Sequence, residues 1–463
     1  MRSIMSVCFV TVAVLGIAPA SFAELPTSVS FETLVDRSLA DDISVPLSFW
    51  LTDGSLLLFD RRIPAADRTI EHFDPKSLKR SSACDATAAL ASVRQLLDDA
   101  TVWPDGLPWP DQFSADGRRA VYRVAGDLFL LDLEHSQFSR LSRTPETEIN
   151  PGFSPDGQYL AFVRANNIVV ITFATGAEQV LTHDGSSTLL NGTLSWVYWE
   201  EVFGRRDTAY WWSPDSQAIA FLQTDQSGVD VSLQQEYEPE TPRVIRQYYA
   251  KAGHTNPVVR VGVVTLGDAK TVWMNTGKPT PEWVVRVAWH PDSKRLAIQT
   301  MPRSQNRLDL LLADTSTGES SILLTEKSKT FVNVNEDLQF VDDGKKLLWP
   351  SERSGTYQYG LYSLDGKLIR WLDIGDLVVR ASSGVFWVKA GICATDDAKR
   401  LVYFTATEGS PIAPALYRVN WDGGPAEKIA TAAGTHRISF DDDAQFFLDE
   451  LSTISTPSSL TLR

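Results

Sequence analysis

The chain lacks the residue spacings that nucleophilic or metal-assisted hydrolysis would require. The nucleophile of an α/β-hydrolase sits in a G-x-S-x-G turn, with its Asp and His partners downstream. No segment of the sequence matches that turn, and "GSSTLLNG" at 185–192 fails the spacing. The six histidines are scattered, and no Cys/His cluster has the spacing of a metal site. We therefore expect no catalytic triad, no metal and no cofactor among these 463 residues.

Two adjacent carboxylates are the clearest candidate binding groups. Glu200 and Glu201 lie in the aromatic segment "WVYWEEVF", Trp196 to Phe203. Ionised carboxylates are pure hydrogen-bond acceptors and attract cationic ligands. An arbitrary pair of adjacent glutamates is usually a solvated surface turn. A binding role therefore depends on what surrounds the pair.

The overall charge excludes one large class of partner. The chain has 43 Lys and Arg against 58 Asp and Glu, which gives a formal net charge of −15. Nucleic-acid binding needs basic patches that neutralise phosphates, so no nucleic-acid partner is expected. Hydrophobic residues make up 43% of the chain and charged residues 22%, as in soluble globular proteins.

The N-terminus predicts export. One arginine precedes an apolar run over 7–17, and small residues then offer cleavage sites after Ala20 or Ala23. This is the pattern of a secretory signal peptide, and the run is too short to cross a bilayer. We predict a signal peptide over 1–23, a partly helical lead-in over 24–45, and a periplasmic or secreted protein with no membrane segment. An uncleaved N-terminal anchor is the alternative.

Few cysteines follow the predicted signal peptide. Cys8 lies inside it, which leaves Cys84 and Cys393. An oxidising compartment would allow these two to pair, but two cysteines are no disulfide framework. The sequence leaves their pairing open.

One short motif recurs along the chain. Each copy has an aromatic or apolar residue, a polar turn of the S-P-D-G type and then an alternating strand; the copies begin at Trp50, Phe113, Phe153, Trp212, Trp289, Phe340, Ala394 and Phe440. Proline presets the first turn dihedral, Asp bonds back to the backbone and Gly takes the positive φ, so each copy predicts a β-hairpin. Several short strands per repeat of roughly 40–50 residues are the signature of a β-propeller. We predict an all-β fold over 46–463, a propeller of seven or eight blades. The alternative is a β-sandwich with chance turns.

Two spacings are too long for one blade. Phe153 and Trp212 are 59 residues apart, and Trp212 and Trp289 are 77 apart. Insertions in repeat proteins map to loops, and binding groups are concentrated on loops. The surplus contains both the glutamate pair and the segment 229–252, so function is expected here.

The same region carries a family resemblance. The "WVYWEEVF" element, the "WWSPD" turn at 211–215 and "KAGHTNPVVR" at 251–260 occur in the order found in dipeptidyl peptidase IV and its bacterial relatives, in the prolyl oligopeptidase clan. The segment "LLWPSERSGTYQYGLYSLDG" at 347–366 also resembles that family's later blades. The resemblance favours eight blades. It implies the substrate-gating propeller of a serine exopeptidase that releases N-terminal dipeptides, with the hydrolase domain supplied elsewhere.

The resemblance also assigns roles to residues. By match to the motif, the family's paired glutamates, which bind the substrate's free N-terminal amine, fall on Glu200 and Glu201. An α-amine with a pKa of about 7.7–8.0 is largely cationic at neutral pH, and a charge-assisted hydrogen bond contributes roughly 1.5–3 kcal/mol. Trp199 departs from the family pattern, which is often acidic there. The family's carbonyl-binding arginine is not mapped: Arg123 is one candidate, and a plain surface residue is the alternative reading of it.

Two further implications concern partners. The segment Val229–Ala252 resembles an extended arm that contributes to dimerisation in the family, and an ordinary long hairpin is the alternative.

For function, one hypothesis is a peptidase propeller that binds peptides with a free N-terminus. The other is a stand-alone, non-catalytic propeller that acts as a binding scaffold, and fold alone does not decide between them. The sequence also leaves open whether the chain is a truncated product, a fragment or one part of a split enzyme.

Overall fold

A computed structural model describes residues 44–99, 101–237, 241–334, 336–380 and 391–463. The predicted signal peptide and nearly all of the lead-in lie outside these ranges. Within them, antiparallel strands form eight small sheets, the blades of a β-propeller, and one separate two-stranded hairpin. The predicted all-β propeller is confirmed, with eight blades.

The strands follow one another in chain order, four in most blades. Those of blades 1 to 4 are β1 Leu47–Trp50, β2 Leu56–Phe59, β3 Glu71–Asp74, β4 Lys79–Ser82; β5 Gln112–Phe113, β6 Arg119–Val124, β7 Asp127–Asp132, β8 Gln137–Arg140; β9 Glu148–Phe153, β10 Tyr159–Arg164, β11 Asn167–Thr172, β12 Ala177–Val180; β13 Leu189–Asn191, β14 Tyr210–Trp212, β15 Ala218–Asp225, β18 Val258–Thr265, β19 Thr271–Trp273. The separate hairpin, inserted in blade 4, consists of β16 Val231–Glu236 and β17 Arg243–Tyr248.

The second half of the ring repeats this plan. The strands of blades 5 to 8 are β20 Trp283–Trp289, β21 Arg295–Met301, β22 Arg307–Asp314, β23 Ser320–Lys327; β24 Gln339–Val341, β25 Lys346–Ser351, β26 Gln358–Ser363, β27 Leu368–Trp371; β28 Val378–Val379, β29 Ile392–Asp396, β30 Leu401–Thr407, β31 Ala415–Asn420, β32 Glu427–Lys428; β33 Thr435–Phe440, β34 Phe447–Thr453, β35 Thr456–Leu462. The helical elements are α1 Ala86–Arg94, a 3-10 turn Ala65–Asp67 and a π-helical turn Tyr198–Val202.

Each copy of the repeated motif forms a hairpin between the innermost strand of a blade and the next strand. In blade 3, Ser154 Oγ donates to Asp156 Oδ1 at 2.6 Å, and Gly157 takes the left-handed conformation with φ +68°. The backbone N–H of Asp156 donates to Ser216 Oγ in the turn of blade 4, at 3.1 Å. The turns therefore fix the hairpin locally and also link neighbouring blades.

The core lies between the blades, where apolar side chains of adjacent sheets pack face to face. The ring closes in the same way: Leu58 and Phe73 of blade 1 pack with Leu448 and Leu462 of blade 8. Trp50 Nε1 also donates across this junction to the carbonyl oxygen of Ser439 at 3.2 Å. Each fully buried apolar side chain contributes roughly 1.5–3 kcal/mol, so this packing stabilises the closed ring.

The helix α1 was not predicted. It follows blade 1, its N-terminus is capped by Asp85, whose Oδ1 accepts from the N–H of Ala88 at 3.0 Å, and it buries Ala89 and Val93 in the core of blades 1 and 2. Cys84 is buried beside it and Cys393 lies on β29, and the two do not form a disulfide with each other. Burial raises the pKa of Cys84 to about 11. Across the described ranges, no helix is both long and apolar enough to cross a bilayer.

Candidate functional site

The glutamate pair lies on an insertion that interrupts the innermost strand of blade 4. Both β13 and β14 pair with β15, and residues 192–209 leave the sheet between them. The N–H of Gly192 donates to Leu222 O at 3.1 Å, and the N–H of Leu222 donates to Ala209 O at 2.9 Å. Gly192 has φ +73°, a conformation that glycine adopts at no steric cost. The loop therefore leaves and rejoins the sheet opposite a single residue, which fixes both its ends.

The loop presents the glutamates on one turn of π-helix. The N–H of Phe203 donates to the carbonyl oxygen of Tyr198 at 2.8 Å, five residues earlier. Such turns are rare and are often found at functional sites. Glu200 and Glu201 are the third and fourth residues of this turn.

The aromatic residues of the motif anchor this turn. Tyr198 is fully buried, its hydroxyl oxygen accepts from the N–H of Val284 at 3.1 Å, and its ring centroid lies 5.6 Å from that of Trp283. Phe203 is also buried, and its ring centroid lies 6.4 Å from that of Trp211. The alternation of aromatic and acidic residues in "WVYWEEVF" thus separates buried anchors from the more exposed carboxylates.

Two arginines hold the end of the turn. Arg286 Nη1 on β20 donates to the carbonyl oxygen of Val202 at 2.9 Å, and Arg206 Nε donates to that of Phe203 at 2.8 Å. Both guanidinium groups also form ion pairs with Glu336, on the connection between blades 5 and 6. Side chains from two other elements of the ring therefore fix the backbone that carries the glutamates.

The carboxylate of Glu200 is engaged by a neighbouring cation. Arg205 Nη2 donates to Glu200 Oε1 at 2.9 Å, and Arg205 Nε lies 3.1 Å from Oε2. Gly204 and Arg205 both have positive φ, +60° and +64°, which turns the chain back on itself. The Arg205 side chain is 63% exposed, and its hydrogen bond to Glu200 raises its pKa.

Glu201 differs from its neighbour. It is exposed, and it makes no hydrogen bond or ion pair with any residue that the structure describes. It lines a cavity of about 540 Å³ between the insertion, the segment that follows the hairpin β16–β17, and blade 5. Trp283 gives this cavity an apolar wall, while Lys251 and Arg303 add positive charge. Of the pair, Glu201 is the carboxylate available to a ligand.

Other predicted residues lie elsewhere. Arg123, on β6 of blade 2, pairs with Asp111 at 2.7 Å, so its guanidinium already has an anionic partner. The segment Val229–Ala252 contains the two paired strands of the hairpin β16–β17. No group of three or more metal-ligating side chains was found within the described ranges.

Four residues around the turn were not predicted from the sequence: Arg205, Arg206, Arg286 and Glu336. "GRR" directly after the motif was a local signal for the first two. Arg286 and Glu336 lie more than 80 residues further along the chain, where nothing in the local pattern connects them with the motif.

Comparison with known proteins assigns these features to a family. Residues 115–458 match the family described as dipeptidyl peptidase IV (DPP IV) N-terminal region. The chain belongs to this dipeptidyl peptidase IV family. The match begins in blade 2 and ends in blade 8, so this N-terminal-region homology includes the glutamate turn, its cavity and the hairpin.

Individual relatives agree. The probable dipeptidyl peptidase 4 of Emericella nidulans is 27% identical over 325 residues, which are 68% of this chain and 41% of that protein. That of Aspergillus clavatus is 26% identical over 395 residues, 80% of this chain and 50% of that protein. This dipeptidyl peptidase IV homologue therefore spans about half the length of the curated relatives it matches.

Solved structures share the fold. The crystal structure of Porphyromonas gingivalis dipeptidyl peptidase 4 superimposes with a TM-score of 0.76 at 22% identity, covering 92% of this chain and 59% of that one. The crystal structure of a putative dipeptidyl aminopeptidase IV from Bacteroides ovatus superimposes with a TM-score of 0.69 at 20% identity, covering 90% of this chain and 57% of that one. The fold of the dipeptidyl peptidase IV propeller accordingly extends to blade 1, beyond the family match.

Proposed function

We propose that this chain is the substrate-gating propeller of a serine exopeptidase that releases N-terminal dipeptides, with Glu200 and Glu201 recognising the free N-terminal amine. The chemical step belongs to a hydrolase domain that is not among these 463 residues. The observation that carries the proposal is Glu201: a carboxylate on an anchored turn, without an ion pair or hydrogen bond in the described part of the chain, at a cavity with one apolar wall.

The amine suits this site chemically. A peptide ammonium has three N–H donors and no acceptor, and Glu201 offers acceptor oxygens only. Glu200 is the second acceptor, and the exposed Arg205 shares its carboxylate. A turn held at a fixed distance from a nucleophile would act as a ruler, because only substrates whose amine reaches the turn would place their scissile bond correctly.

We also propose that the hairpin β16–β17 pairs with a second copy of this chain. Its exposed apolar side chains include Leu233 and Val244, both 61% exposed, and Ile245, 40% exposed. Within the described residues, β16 and β17 pair only with each other. An exposed two-stranded arm with unpaired edges and apolar side chains of this kind is expected to be covered by a partner, and the symmetric choice is the same arm of another copy.

Binding measurements on the purified full chain test the amine role. Calorimetric titration would compare Ala-Pro with N-acetyl-Ala-Pro, at millimolar peptide. We expect the wild-type chain to bind the free-amine peptide more tightly. Because one charge-assisted bond contributes roughly 1.5–3 kcal/mol, Glu201→Gln should weaken that binding about 10- to 150-fold and leave the acetylated peptide unaffected.

A matched control is available on blade 8. Glu450 on β34 pairs with Arg437 at 3.3 Å, and its side chain is 20% exposed, so Glu450→Gln removes a partly exposed carboxylate far along the ring from the turn. It should leave both titrations unchanged. Equal binding of the two peptides by the wild-type chain would contradict amine recognition and favour the non-catalytic scaffold.

A further inference from the structure

The end of the π-helical turn depends on side chains outside the turn itself, one from its own loop and one from blade 5. The last carbonyl oxygens of a helical turn have no partner within it, and here those of Val202 and Phe203 accept from Arg286 and Arg206. The Arg286 guanidinium also lies over the Phe203 ring, 5.1 Å from its centroid. Backbone and side chain at this end of the turn are thus held by the same cation.

Glu336 joins the two arginines. Its Oε1 accepts from Arg206 Nη2 at 2.7 Å and contacts Arg286. The side chains of Arg286 and Glu336 are only 13% and 12% exposed. Burial lowers the pKa of Arg286 to about 10, and the charge of Glu336 opposes that effect. Removing the Glu336 charge would leave a buried, uncompensated guanidinium beside the turn.

Glu336 is itself fixed through the next residue. Asp337 is buried, and its carboxylate accepts from the N–H groups of Gly391 and Ile392 in blade 7, at 2.7 and 3.1 Å. It also accepts from the Tyr359 hydroxyl on β26 of blade 6, at 3.0 Å. The two adjacent acids therefore contact different blades: Glu336 pairs with arginines of blades 4 and 5, and Asp337 accepts hydrogen bonds from blades 6 and 7.

We infer that Glu336, acting through Arg206 and Arg286, is a positioning residue that holds the glutamate turn in place for amine binding. This role rests on the proposed function, because the expected effect of Glu336 is on the affinity of the turn for an amine. A carboxylate held in one place binds a ligand better than a mobile one, because less conformational freedom is lost on binding. Glu336 itself does not touch the ligand in this scheme.

Hydrogen–deuterium exchange of the full chain tests the holding role without any ligand. Within the turn and its exit, the N–H groups of Trp199, Phe203 and Arg205 donate to backbone oxygens. Glu336→Gln should speed exchange of the peptide covering 198–205 about tenfold, while Glu450→Gln, the blade 8 control, should not change it. Unchanged exchange at 198–205, with or without a lower melting temperature, would overturn the inference.

Binding then tests the positioning role. Glu336→Gln should weaken Ala-Pro binding about five- to tenfold, yet cause no further loss in a Glu201→Gln background, because its effect passes through the turn. Additive losses would mean a general structural role and would overturn the inference. If the wild-type chain does not distinguish Ala-Pro from its N-acetyl form, amine recognition fails, and the exchange result alone decides whether Glu336 holds the turn.

Discussion

Replacing Asp337 by asparagine should make the stability of the propeller less sensitive to pH. Asp337 is buried, and it accepts hydrogen bonds from two backbone N–H groups of blade 7 and from the hydroxyls of Tyr357 and Tyr359. Burial is the larger effect and raises the pKa of its carboxyl to about 6, although the four donors oppose this. Asparagine keeps the shape of the side chain and removes its titration.

The linkage between proton binding and folding gives the sign and size of this pH dependence. Between the ordinary pKa of 3.8 and the folded value of about 6, the folded chain keeps the proton of Asp337 and the unfolded chain has released it. The stabilising contribution of the protonated group is therefore full below about pH 4 and is lost as pH rises to about 6. A shift of two units corresponds to roughly 3 kcal/mol in the free energy of unfolding. The asparagine side chain does not titrate, so the Asp337→Asn variant lacks this pH-dependent contribution. Its free energy of unfolding relative to wild type should therefore rise by roughly 3 kcal/mol from pH 4 to pH 7.

Urea denaturation followed by tryptophan fluorescence, at intervals from pH 4 to pH 7.5, would measure this difference. Other titrating groups are common to both proteins and cancel. At pH 4 the variant should be less stable by roughly 1–3 kcal/mol, because one buried donor loses its acceptor. Tyr357→Phe removes a donor that lowers the pKa of Asp337, so it should extend the pH-dependent window upwards. A stability difference that stays constant over the whole range would refute the reasoning.

Three further outcomes are expected. Leu233→Asp should convert the chain from dimer to monomer in light scattering, whereas Ile322→Asp, at an apolar residue of comparable exposure on blade 5, should not. A monomeric wild type would contradict dimerisation through the arm. Protein from a fractionated host should be found outside the cytoplasm and begin after Ala20 or Ala23 by N-terminal sequencing, and full-length cytoplasmic protein would contradict export. The purified chain should release no chromophore from Gly-Pro or Ala-Pro substrates, since it contains no G-x-S-x-G; turnover that labels one of its serines would overturn this expectation.

The ring was predictable because its signal is local. A polar turn such as Ser154 to Gly157 specifies a hairpin by its own φ preferences and hydrogen bonds, and repetition of that hairpin specifies a propeller. The helix α1 had a local signal too, an Asp85 cap before a run of good helix formers, but one short helix does not alter a repeat pattern. The glutamate turn was identified by resemblance, and its position by the surplus length of blade 4.

The partners of the turn were not predictable, because the packing of neighbouring blades brings them together. Arg286 belongs to a strand and Glu336 to a connection between blades. The sequence around each of them predicts only an ordinary charged surface residue. Their pairing depends on how blades 4, 5 and 6 stack, which no short-range pattern contains. The same is true of the difference between the glutamates, since the pairing of Arg205 with Glu200 accompanies a positive φ at Arg205 that the local sequence did not predict.

That difference bears on which cation the site would take. Two free carboxylates side by side would repel one another, raise each other's pKa and suit a divalent metal ion. With Arg205 on Glu200, Glu201 is the carboxylate of the turn that has no ion pair among the described residues, while Lys251 and Arg303 line the same cavity without pairing with it. A single charge beside an apolar wall matches a monovalent ammonium better than a divalent ion. In the proposed function, Arg205 therefore contributes to selectivity: it leaves Glu200 in place as a second acceptor and reduces the net charge of the two glutamates to −1, which one ammonium group neutralises.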